Sequence, residues 1–387
     1  MTIPQDSAAV ATAAVAASPE SLTVTWSDGT TGEFASVWLR DNRPEDRDPY
    51  SGQRLIDVMD VPAEPRIRSA AIAGGELSVR WRDAERASVF GLDFLYEYAL
   101  GSRTLPELEV RRWLHARTLK PRRDLGWLSF KVLQSDSGAR LAWLTRLLQY
   151  GLAFLSDVPC VENSILDAMS WVGKVPETNY GFVFDVRAVP QPENLAFSDL
   201  GLGLHTDNPY REPVPGFQAL HTLLAAPDGG DSLFSDGFAL AEHLRGTEPE
   251  AFGVLTRTAV PFRYRGTGAD LYAERPLIEL SCTGAIAAIA YNSRSIRPLR
   301  MSANDCVAFY SAYRKFAALL REPGYQLRTR LENGQLAVFD NRRILHGRTG
   351  FVSAKHPRHL QGCYLTRDSV YSQTALLRNR LLTGERA

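Results

Sequence analysis

Short apolar runs, separated by turn residues, limit the folds open to this chain more than any other feature of its sequence. Runs such as LTVTW, ALHTLLAA and QLAVFD contain five to eight residues, the usual length of a β-strand. Asp28-Gly29, Gly74-Gly75 and Asn333-Gly334 are typical of tight turns between antiparallel strands. Apolar residues at helical spacing predict helices at 139–150, 165–172, 238–244 and 305–320. The sequence therefore predicts a mainly β protein with flanking helices, built as a sandwich or jelly roll.

Two domains are predicted, because the 387 residues exceed the size at which a single hydrophobic core usually stops growing. An Ala-rich segment, residues 1–19, is predicted to be a disordered tail. Two hairpins follow, LTVTW with GEFASVWL and IRSAAIAG with ELSVRW, and they predict a small β-rich domain over residues 20–105. A basic connector then leads into a larger domain, residues 120–387.

Charge and cysteine content exclude several classes of function. Lys plus Arg and Asp plus Glu both number 44, so no basic field for nucleic acid is expected. The four cysteines form no Cys-x-x-Cys pair, which favours reduced thiols in a cytoplasmic protein. No apolar run approaches the ~20 residues of a membrane span, and the N-terminus has no charged segment typical of a signal peptide.

A histidine and an aspartate follow an apolar run in GLGLHTDNPY. Residues i and i+2 of a strand point to one face, so His205 and Asp207 could bind one ion while Leu204 enters the core. Alone, such a pair is more often an ordinary polar pair. His346, in ILHGR at the end of another apolar strand, supplies a third ligand. Two histidines and one carboxylate form the facial triad that binds Fe(II) and leaves three positions open.

An arginine follows the second histidine by twelve residues. Arg358 could bind a dicarboxylic acid through a bidentate guanidinium contact, although such an arginine, taken alone, is more often an ordinary surface residue. HTD, the distant HGR, GGDSLFSDGF and this arginine together resemble the taurine dioxygenase-like superfamily of Fe(II)/2-oxoglutarate oxygenases. WLRDN followed by SGQRL resembles, more narrowly, γ-butyrobetaine hydroxylase and its relatives.

This resemblance implies a double-stranded β-helix (jelly-roll) oxygenase core behind a small β-rich N-terminal domain, and a homodimer. It implies Fe(II) as metal, with 2-oxoglutarate and O2 as cosubstrates. His205, Asp207 and His346 are then the catalytic metal ligands. Arg358 and Ser232 are expected to bind the far carboxylate of 2-oxoglutarate.

One departure from the family concerns a structural zinc site in the small domain. The family's three cysteines and one histidine are replaced here by Arg43, Glu45, Asp48 and Tyr98. Structural zinc is held by thiolates and imidazoles. We therefore expect no zinc, and a small domain held by its own core and polar contacts.

The family resemblance also implies a small zwitterionic substrate with a quaternary ammonium group. Such a cation binds to aromatic faces, and four residues match the family's cage: Tyr180, Phe184, Phe197 and Tyr364. Each of them, taken alone, is more often a core residue.

A polar set is expected to bind the anionic end of the substrate: Asn194, Asn208, Tyr210, Asn292 and Arg294. This pocket is richer than a monocarboxylate needs, and it favours 2-(trimethylamino)ethylphosphonate, converted to its 1-hydroxy product. γ-Butyrobetaine, hydroxylated to carnitine, is the alternative. A zinc hydrolase and a ligand-binding protein on the same fold are the competing classes.

Overall fold

The structure is a computed structural model that describes residues 14–99, 109–119, 124–187, 200–266, 268–351 and 358–383. The chain divides into two compact units between residues 106 and 107.

The first unit contains six strands and two α-helices among its described residues. They are β1 Ala14–Ala17, β2 Ser21–Thr25, β3 Thr31–Ala35, α1 Ser36–Asp41, β4 Ile67–Ala73, β5 Glu76–Trp81, β6 Ser88–Gly91 and α2 Leu92–Ala99, with short 3-10 turns at Pro44–Asp46 and Val58–Asp60. The strands form two three-stranded antiparallel sheets, β1-β2-β3 and β4-β5-β6. Both predicted hairpins are present, as β2–β3 and β4–β5.

Apolar residues from both sheets share one core, which includes Trp26, Phe34 and Trp81. Full burial of one such side chain contributes roughly 1.5–3 kcal/mol. Two local predictions differ from the structure. Strand β1 lies inside the predicted tail, because Ala14–Ala17 pair with β2. The segment ASVWL, predicted as strand, turns into helix α1 at Ser36, which buries Leu39 completely in this core.

The second unit holds the remaining strands and helices. They are β7 Leu128–Ser129, α3 Phe130–Ser135, α4 Ser137–Tyr150, β8 Leu152–Ser156, α5 Ser164–Met169, β9 Phe184–Arg187, β10 Leu202–His205, β11 Phe217–Leu224, β12 Ser232–Asp236, α6 Gly237–Thr247, α7 Pro249–Arg257, β13 Val260–Gly266, β14 Ala269–Arg275, β15 Ile278–Leu280, β16 Ile286–Ile289, α8 Ala303–Arg321, β17 Leu327–Thr329, β18 Leu336–Asp340, β19 Ile344–Arg348, β20 His359–Leu365 and α9 Arg367–Thr383, with 3-10 turns at Ala116–Thr118 and Pro323–Tyr325. Helices were predicted close to α4, α5, α6 and α8.

Two sheets face each other in this unit, with strand orders β10-β19-β12-β17 and β7-β8-β18-β11-β20-β9. Their inner faces meet through aromatic contacts: the ring of Phe234 lies 6.0 Å from Phe154 and 5.6 Å from Phe339. Apart from the short parallel pair β7–β8, the strands are antiparallel. The predicted jelly-roll core with flanking helices is confirmed.

Helices cover the outer face of the six-stranded sheet. Trp143 and Leu147 of α4, together with Val370 of α9, pack on Phe217 and Ala219 of β11. Strand alternation therefore directs Gln218 and Leu220 of β11 to the inner face. Helix α4 ends at Gly151, whose φ of +74° suits the left-handed conformation that closes a helix. No helix in the described part of the chain is long and apolar enough to cross a membrane.

Candidate metal centre

Two histidines and an aspartate meet between the facing sheets. His205 ends β10 and pairs in register with His346 of β19, and the two imidazole rings lie 4.3 Å apart. Asp207 Oδ1 lies 3.2 Å from His205 Nε2 and 4.0 Å from His346 Nε2. One potential ligand atom from each residue lies within 4.8 Å of the others. The structure thus brings together the three residues predicted as metal ligands.

The electrostatics keep Asp207 and His346 in the protonation states that bind metal. Burial acts to raise the pKa of Asp207, but the hydrogen bond with His205 and the nearby imidazoles outweigh it, and the pKa falls below its usual value. Burial lowers the pKa of His346 to about 3, and the nearby guanidinium of Arg294 acts in the same direction, against the carboxylate of Asp207. A carboxylate and a neutral imidazole are the forms that coordinate metals.

Neighbouring groups fix the orientation of two of the three ligands. His205 Nδ1 lies 2.9 Å from the Gly203 carbonyl oxygen, so the proton belongs on Nδ1 and Nε2 is left to face Asp207. Tyr364 donates its hydroxyl hydrogen to Asp207 Oδ2 at 2.9 Å. Asn341 accepts from the Asp207 backbone N–H at 2.7 Å and donates to the Asp207 carbonyl at 3.0 Å. Two imidazoles and one oriented carboxylate fit Fe(II).

Arg358, predicted to bind the far carboxylate of 2-oxoglutarate, is a buried guanidinium beside a second arginine. Burial, followed by the charge of Arg348, lowers its pKa to about 10. Both guanidinium groups stack on Phe351, at 5.6 Å for Arg358 and 5.4 Å for Arg348. Ser232 is buried and faces Arg348 across the β12–β19 pair. Gly230 leaves the space that Arg358 occupies, since a Cβ there would lie 3.1 Å from its Cδ.

Arg348 received no role from the sequence, although it belongs to the HGR motif. It lies two residues beyond His346 on β19, so both side chains point to the same inner face. That spacing could have indicated its place. It contacts the Leu200 carbonyl oxygen at 3.3 Å.

Aromatic rings cluster beside the triad. Ring centroids are 5.1 Å apart for Phe184 and Tyr364, 6.4 Å for Tyr180 and Phe184, 5.9 Å for Tyr180 and Tyr264, and 5.4 Å for Tyr210 and Tyr264. Three of the four predicted cage residues therefore come together. Phe197, the fourth, lies outside the described residues.

Tyr264 is an aromatic neighbour that the sequence did not indicate. It comes from strand β13, in VPFRYRG, more than 80 residues along the chain from Tyr180. No motif links these two segments, so only the fold could reveal the contact.

Three members of the predicted anion pocket, Asn208, Tyr210 and Asn292, make hydrogen bonds within the protein. Asn208 Nδ2 donates to Tyr364 Oη at 2.9 Å, and Tyr210 donates to Asn208 Oδ1 at 2.6 Å. These two residues thus support the tyrosine that holds Asp207. Asn292 Nδ2 donates to the Thr206 carbonyl at 3.2 Å. Their polar atoms already have partners, because they tie the loop after β10 to its neighbours.

The rest of that predicted set comprises Asn194 and Arg294. Asn194 lies outside the described residues. Arg294 lines a cavity of about 350 Å³ that reaches His205. Asn292, Arg321 and Gln326 line the same cavity. Arg294 therefore remains available to an anion.

In the small domain, the four positions of the family's zinc site make other contacts. Arg43 forms a bidentate pair with Asp46, with bonds of 2.6 and 2.8 Å. Glu45 accepts from the Ser88 hydroxyl at 2.7 Å. Asp48 Oδ1 accepts from the Ser51 backbone at 2.6 Å.

The fourth position, Tyr98, packs its ring on Trp38 and Phe94, at centroid distances of 5.5 and 4.8 Å. Polar and aromatic contacts thus connect this part of the small domain.

Comparison with known families agrees with this geometry. The family described as "Taurine catabolism dioxygenase TauD, TfdA family" matches residues 120–364, which is more than half of the chain. The chain belongs to the TauD, TfdA family. The N-terminal unit matches a second family, "Gamma-butyrobetaine hydroxylase-like, N-terminal", over residues 14–96.

Similar proteins are known for nearly the full length of this TauD, TfdA family member. A gamma-butyrobetaine dioxygenase of Pseudomonas sp. is 35% identical over 94% of this chain and 96% of its own length. A dioxygenase named str8 of Strobilurus tenacellus is 32% identical over 89% and 85%. A trimethyllysine dioxygenase of Meyerozyma guilliermondii is 25% identical over 92% and 94%.

This TauD, TfdA family member is an Fe(II)- and 2-oxoglutarate-dependent dioxygenase, and the predicted iron, 2-oxoglutarate and O2 are confirmed. Membership favours the oxygenase over a zinc hydrolase or a ligand-binding protein. When bound, the iron with its two cosubstrates supplies the oxidising power for hydroxylation. The protein supplies the ligands, the orientation and the binding of the carboxylates.

Proposed function

We propose that this dioxygenase hydroxylates a small zwitterion that carries a quaternary ammonium group. One observation carries the proposal: Tyr364, a residue of the aromatic cluster, is hydrogen-bonded to a residue of the metal triad. The Tyr364 ring packs 5.1 Å from Phe184, while its hydroxyl holds Asp207 at 2.9 Å. A trimethylammonium group against such rings gains ~0.5–2 kcal/mol per good cation–π contact and would lie next to the metal.

The roles of the side chains follow from their positions. His205, Asp207 and His346 hold the iron. Arg358 and Ser232 bind the far carboxylate of 2-oxoglutarate. The cationic end of the substrate would bind at the aromatic cluster and its anionic end near Arg294. Together these contacts would hold one C–H bond of the substrate towards the metal, so regioselectivity comes from positioning.

The relatives support this substrate class. γ-Butyrobetaine and trimethyllysine, the compounds in the names of two similar dioxygenases, both carry a trimethylammonium group. Str8 carries no substrate in its name. The class therefore rests on the aromatic cluster together with these two relatives.

Two substrates fit the class. γ-Butyrobetaine, giving carnitine, is supported by the relative at 35% identity. 2-(Trimethylamino)ethylphosphonate, giving its 1-hydroxy product, was favoured by the predicted anion pocket. Asn208, Tyr210 and Asn292 now have partners of their own. The phosphonate is instead supported by Arg294 and Arg321, two guanidinium groups around one cavity, because a phosphonate carries up to two charges.

Succinate formation and product mass, measured with a panel of substrates, test the proposal. The panel contains γ-butyrobetaine, the phosphonate, trimethyllysine and taurine. We expect turnover coupled to hydroxylation for at least one trimethylammonium compound and none for taurine. Coupled turnover of taurine alone would contradict the proposed class.

Arg294→Ala separates the two candidate anions. We expect about 10–100-fold loss of kcat/KM for a phosphonate, from a lost charged hydrogen bond of about 1.5–3 kcal/mol, and a smaller loss for a carboxylate. Arg297→Ala removes an exposed arginine from the same loop and is the matched control. Equal losses on both substrates would remove the argument for the phosphonate.

A homodimer, implied by the family resemblance, stays a prediction. Light scattering should give twice the chain mass of 43.0 kDa. The mass of a single chain would contradict it.

A further inference from the structure

Gln218 stands in the middle of a row of side chains on the inner face of the six-stranded sheet. It pairs with Phe339 of β18 on one side and with Tyr364 of β20 on the other. Residues opposite each other in antiparallel strands point to the same face, with Cβ atoms about 4.5–5.5 Å apart. Gln218 therefore projects between these two aromatic rings.

Both neighbours of Gln218 contact metal ligands. The Phe339 ring lies 4.7 Å from the imidazole of His346. The Tyr364 hydroxyl donates to Asp207. Gln218 thus lies between two residues that contact His346 and Asp207.

The carbonyl oxygen of this amide lacks a partner. Gln218 is only 2% exposed, and no described residue donates a hydrogen bond to its Oε1. A buried acceptor without a donor is destabilising, so an unpaired oxygen at this place calls for a function.

His346 has the complementary deficiency. Its Nε2 faces Asp207, so metal binding through Nε2 places the proton on Nδ1. That Nδ1 is buried and has no partner among the described residues. His205, by contrast, has the Gly203 carbonyl as its acceptor. Metal-binding histidines almost always donate their second ring N–H to an acceptor, which fixes the ring and its tautomer.

We propose that Gln218 is a positioning residue for His346: in the metal-bound protein, Gln218 Oε1 accepts the Nδ1–H of His346, directly or through one buried water. One donor and one acceptor, each buried and unpaired, are thereby satisfied together. The inference rests on the proposed metal triad. The backbone carbonyl of His205, which opposes the lowering of the His346 pKa by burial, is the competing acceptor.

Anaerobic titration with Fe(II) tests the proposal through metal affinity, without turnover. Gln218→Leu keeps the bulk and removes the acceptor, and we expect its Fe(II) affinity to fall about 10–100-fold. Gln218→Glu keeps an acceptor oxygen and should bind Fe(II) at least as tightly as the wild type. Equal affinity of Gln218→Leu and wild type would overturn the proposal, and so would equal losses in Gln218→Leu and Gln218→Glu.

Thermal unfolding of the metal-free protein separates positioning from a structural role. Gln218→Leu removes an unsatisfied acceptor, so its Tm without metal should equal or exceed that of the wild type. Gln361→Leu is the matched control, on the outer face of the same sheet. Gln361 bonds the Asn163 backbone at 2.7 Å and Asp185 at 3.2 Å, so its loss should lower Tm while the folded protein keeps its Fe(II) affinity.

His205→Ala distinguishes the failure of this inference from failure of the triad itself. If His205→Ala still binds Fe(II) at full strength, the triad is wrong and the proposal falls with it. If His205→Ala abolishes binding while Gln218→Leu leaves it intact, the triad stands and only the role of Gln218 is refuted.

Discussion

Tyr364 donates a hydrogen bond of 2.9 Å to Asp207, across 157 residues of sequence. Its hydroxyl oxygen in turn accepts from Asn208, and Asn208 accepts from Tyr210. The chain of bonds links a proposed metal ligand to the aromatic cluster, since Tyr210 stacks on Tyr264. If the substrate binds at these rings, as we propose, its binding and the orientation of the Asp207 carboxylate would be coupled through these bonds.

Replacement of Tyr364 by phenylalanine separates the two contributions of this residue. The ring that faces the substrate stays, while the hydrogen bond to Asp207 is lost. We expect Fe(II) affinity to fall about 10-fold or more and more succinate to form per hydroxylated product. The KM of the trimethylammonium substrate should change little. A large rise in that KM, with metal affinity unchanged, would contradict this division.

The prediction for Arg358 concerns only the far carboxylate of the cosubstrate. Arg358→Ala should raise the KM for 2-oxoglutarate about 10–100-fold, because a charge-assisted contact of about 1.5–3 kcal/mol is lost. Arg358→Lys keeps the positive charge but lacks the planar guanidinium, so its KM for 2-oxoglutarate should lie between those of the wild type and Arg358→Ala.

2-Oxopentanoate provides the internal test of that assignment. It has the same chain length without the far carboxylate, so wild type and Arg358→Ala should use it equally poorly. Arg328→Ala, which removes an exposed side chain on strand β17, is the control variant. If Arg358→Ala loses the same fraction of wild-type activity with 2-oxoglutarate and with 2-oxopentanoate, Arg358 has a role other than binding the far carboxylate.

The spacing of the motifs predicted which residues form the centre of the site, although β10 ends at His205, so Asp207 lies beyond the strand, and His346 lies in the middle of β19. His205 and Asp207 lie two residues apart after an apolar run, and His346 was expected at the end of another apolar strand; the structure pairs it directly with His205. The local sequence pattern could not predict hydrogen-bond partners that depend on the order of strands in the sheet. Asn208 looked free to bind an anion, because nothing near it in sequence indicates that Tyr364 lies beside it.

The same limit applies to single residues inside strands. Gln218 is one polar residue in a β-strand, and its importance comes only from Phe339 and Tyr364 on the neighbouring strands. Helix α1 was missed for a related reason. GEFASVWL alternates like a strand, and the burial of Leu39 in the core, a tertiary contact, decides for the helix.

Tyr264 should contribute cation–π energy to substrate binding. Tyr264→Leu keeps an apolar surface and removes the ring. A lost cation–π contact of about 0.5–2 kcal/mol should raise the KM for a trimethylammonium substrate about 2–30-fold. The matched ligand is 5,5-dimethylhexanoate, the uncharged-carbon isostere of γ-butyrobetaine. Its inhibition constant should be nearly the same for wild type and Tyr264→Leu. If both ligands lose affinity equally, the ring acts by shape alone.

Asp236 should be the most sensitive position for stability among these residues. It is 1% exposed and pairs with Arg343, itself 1% exposed, through bonds of 3.1 and 2.7 Å. It also accepts from the backbone N–H of Phe238 at the start of α6 and from that of Trp113, both at 3.0 Å. Asp236→Ala would leave a buried guanidinium without its counter-charge and remove the helix cap.

We expect Asp236→Ala to reduce the free energy of unfolding by about 3–5 kcal/mol, the usual cost of breaking a buried pair. Glu248→Ala, which removes a solvent-exposed pair with Lys315, should change it by less than about 1 kcal/mol. Urea unfolding of both variants measures the difference. Asp236 lies on β12, the strand that also carries Ser232. The folded Asp236→Ala protein should therefore also show a higher KM for 2-oxoglutarate. Similar unfolding free energies for the two variants would show that the buried pair is not what stabilises this end of the sheet.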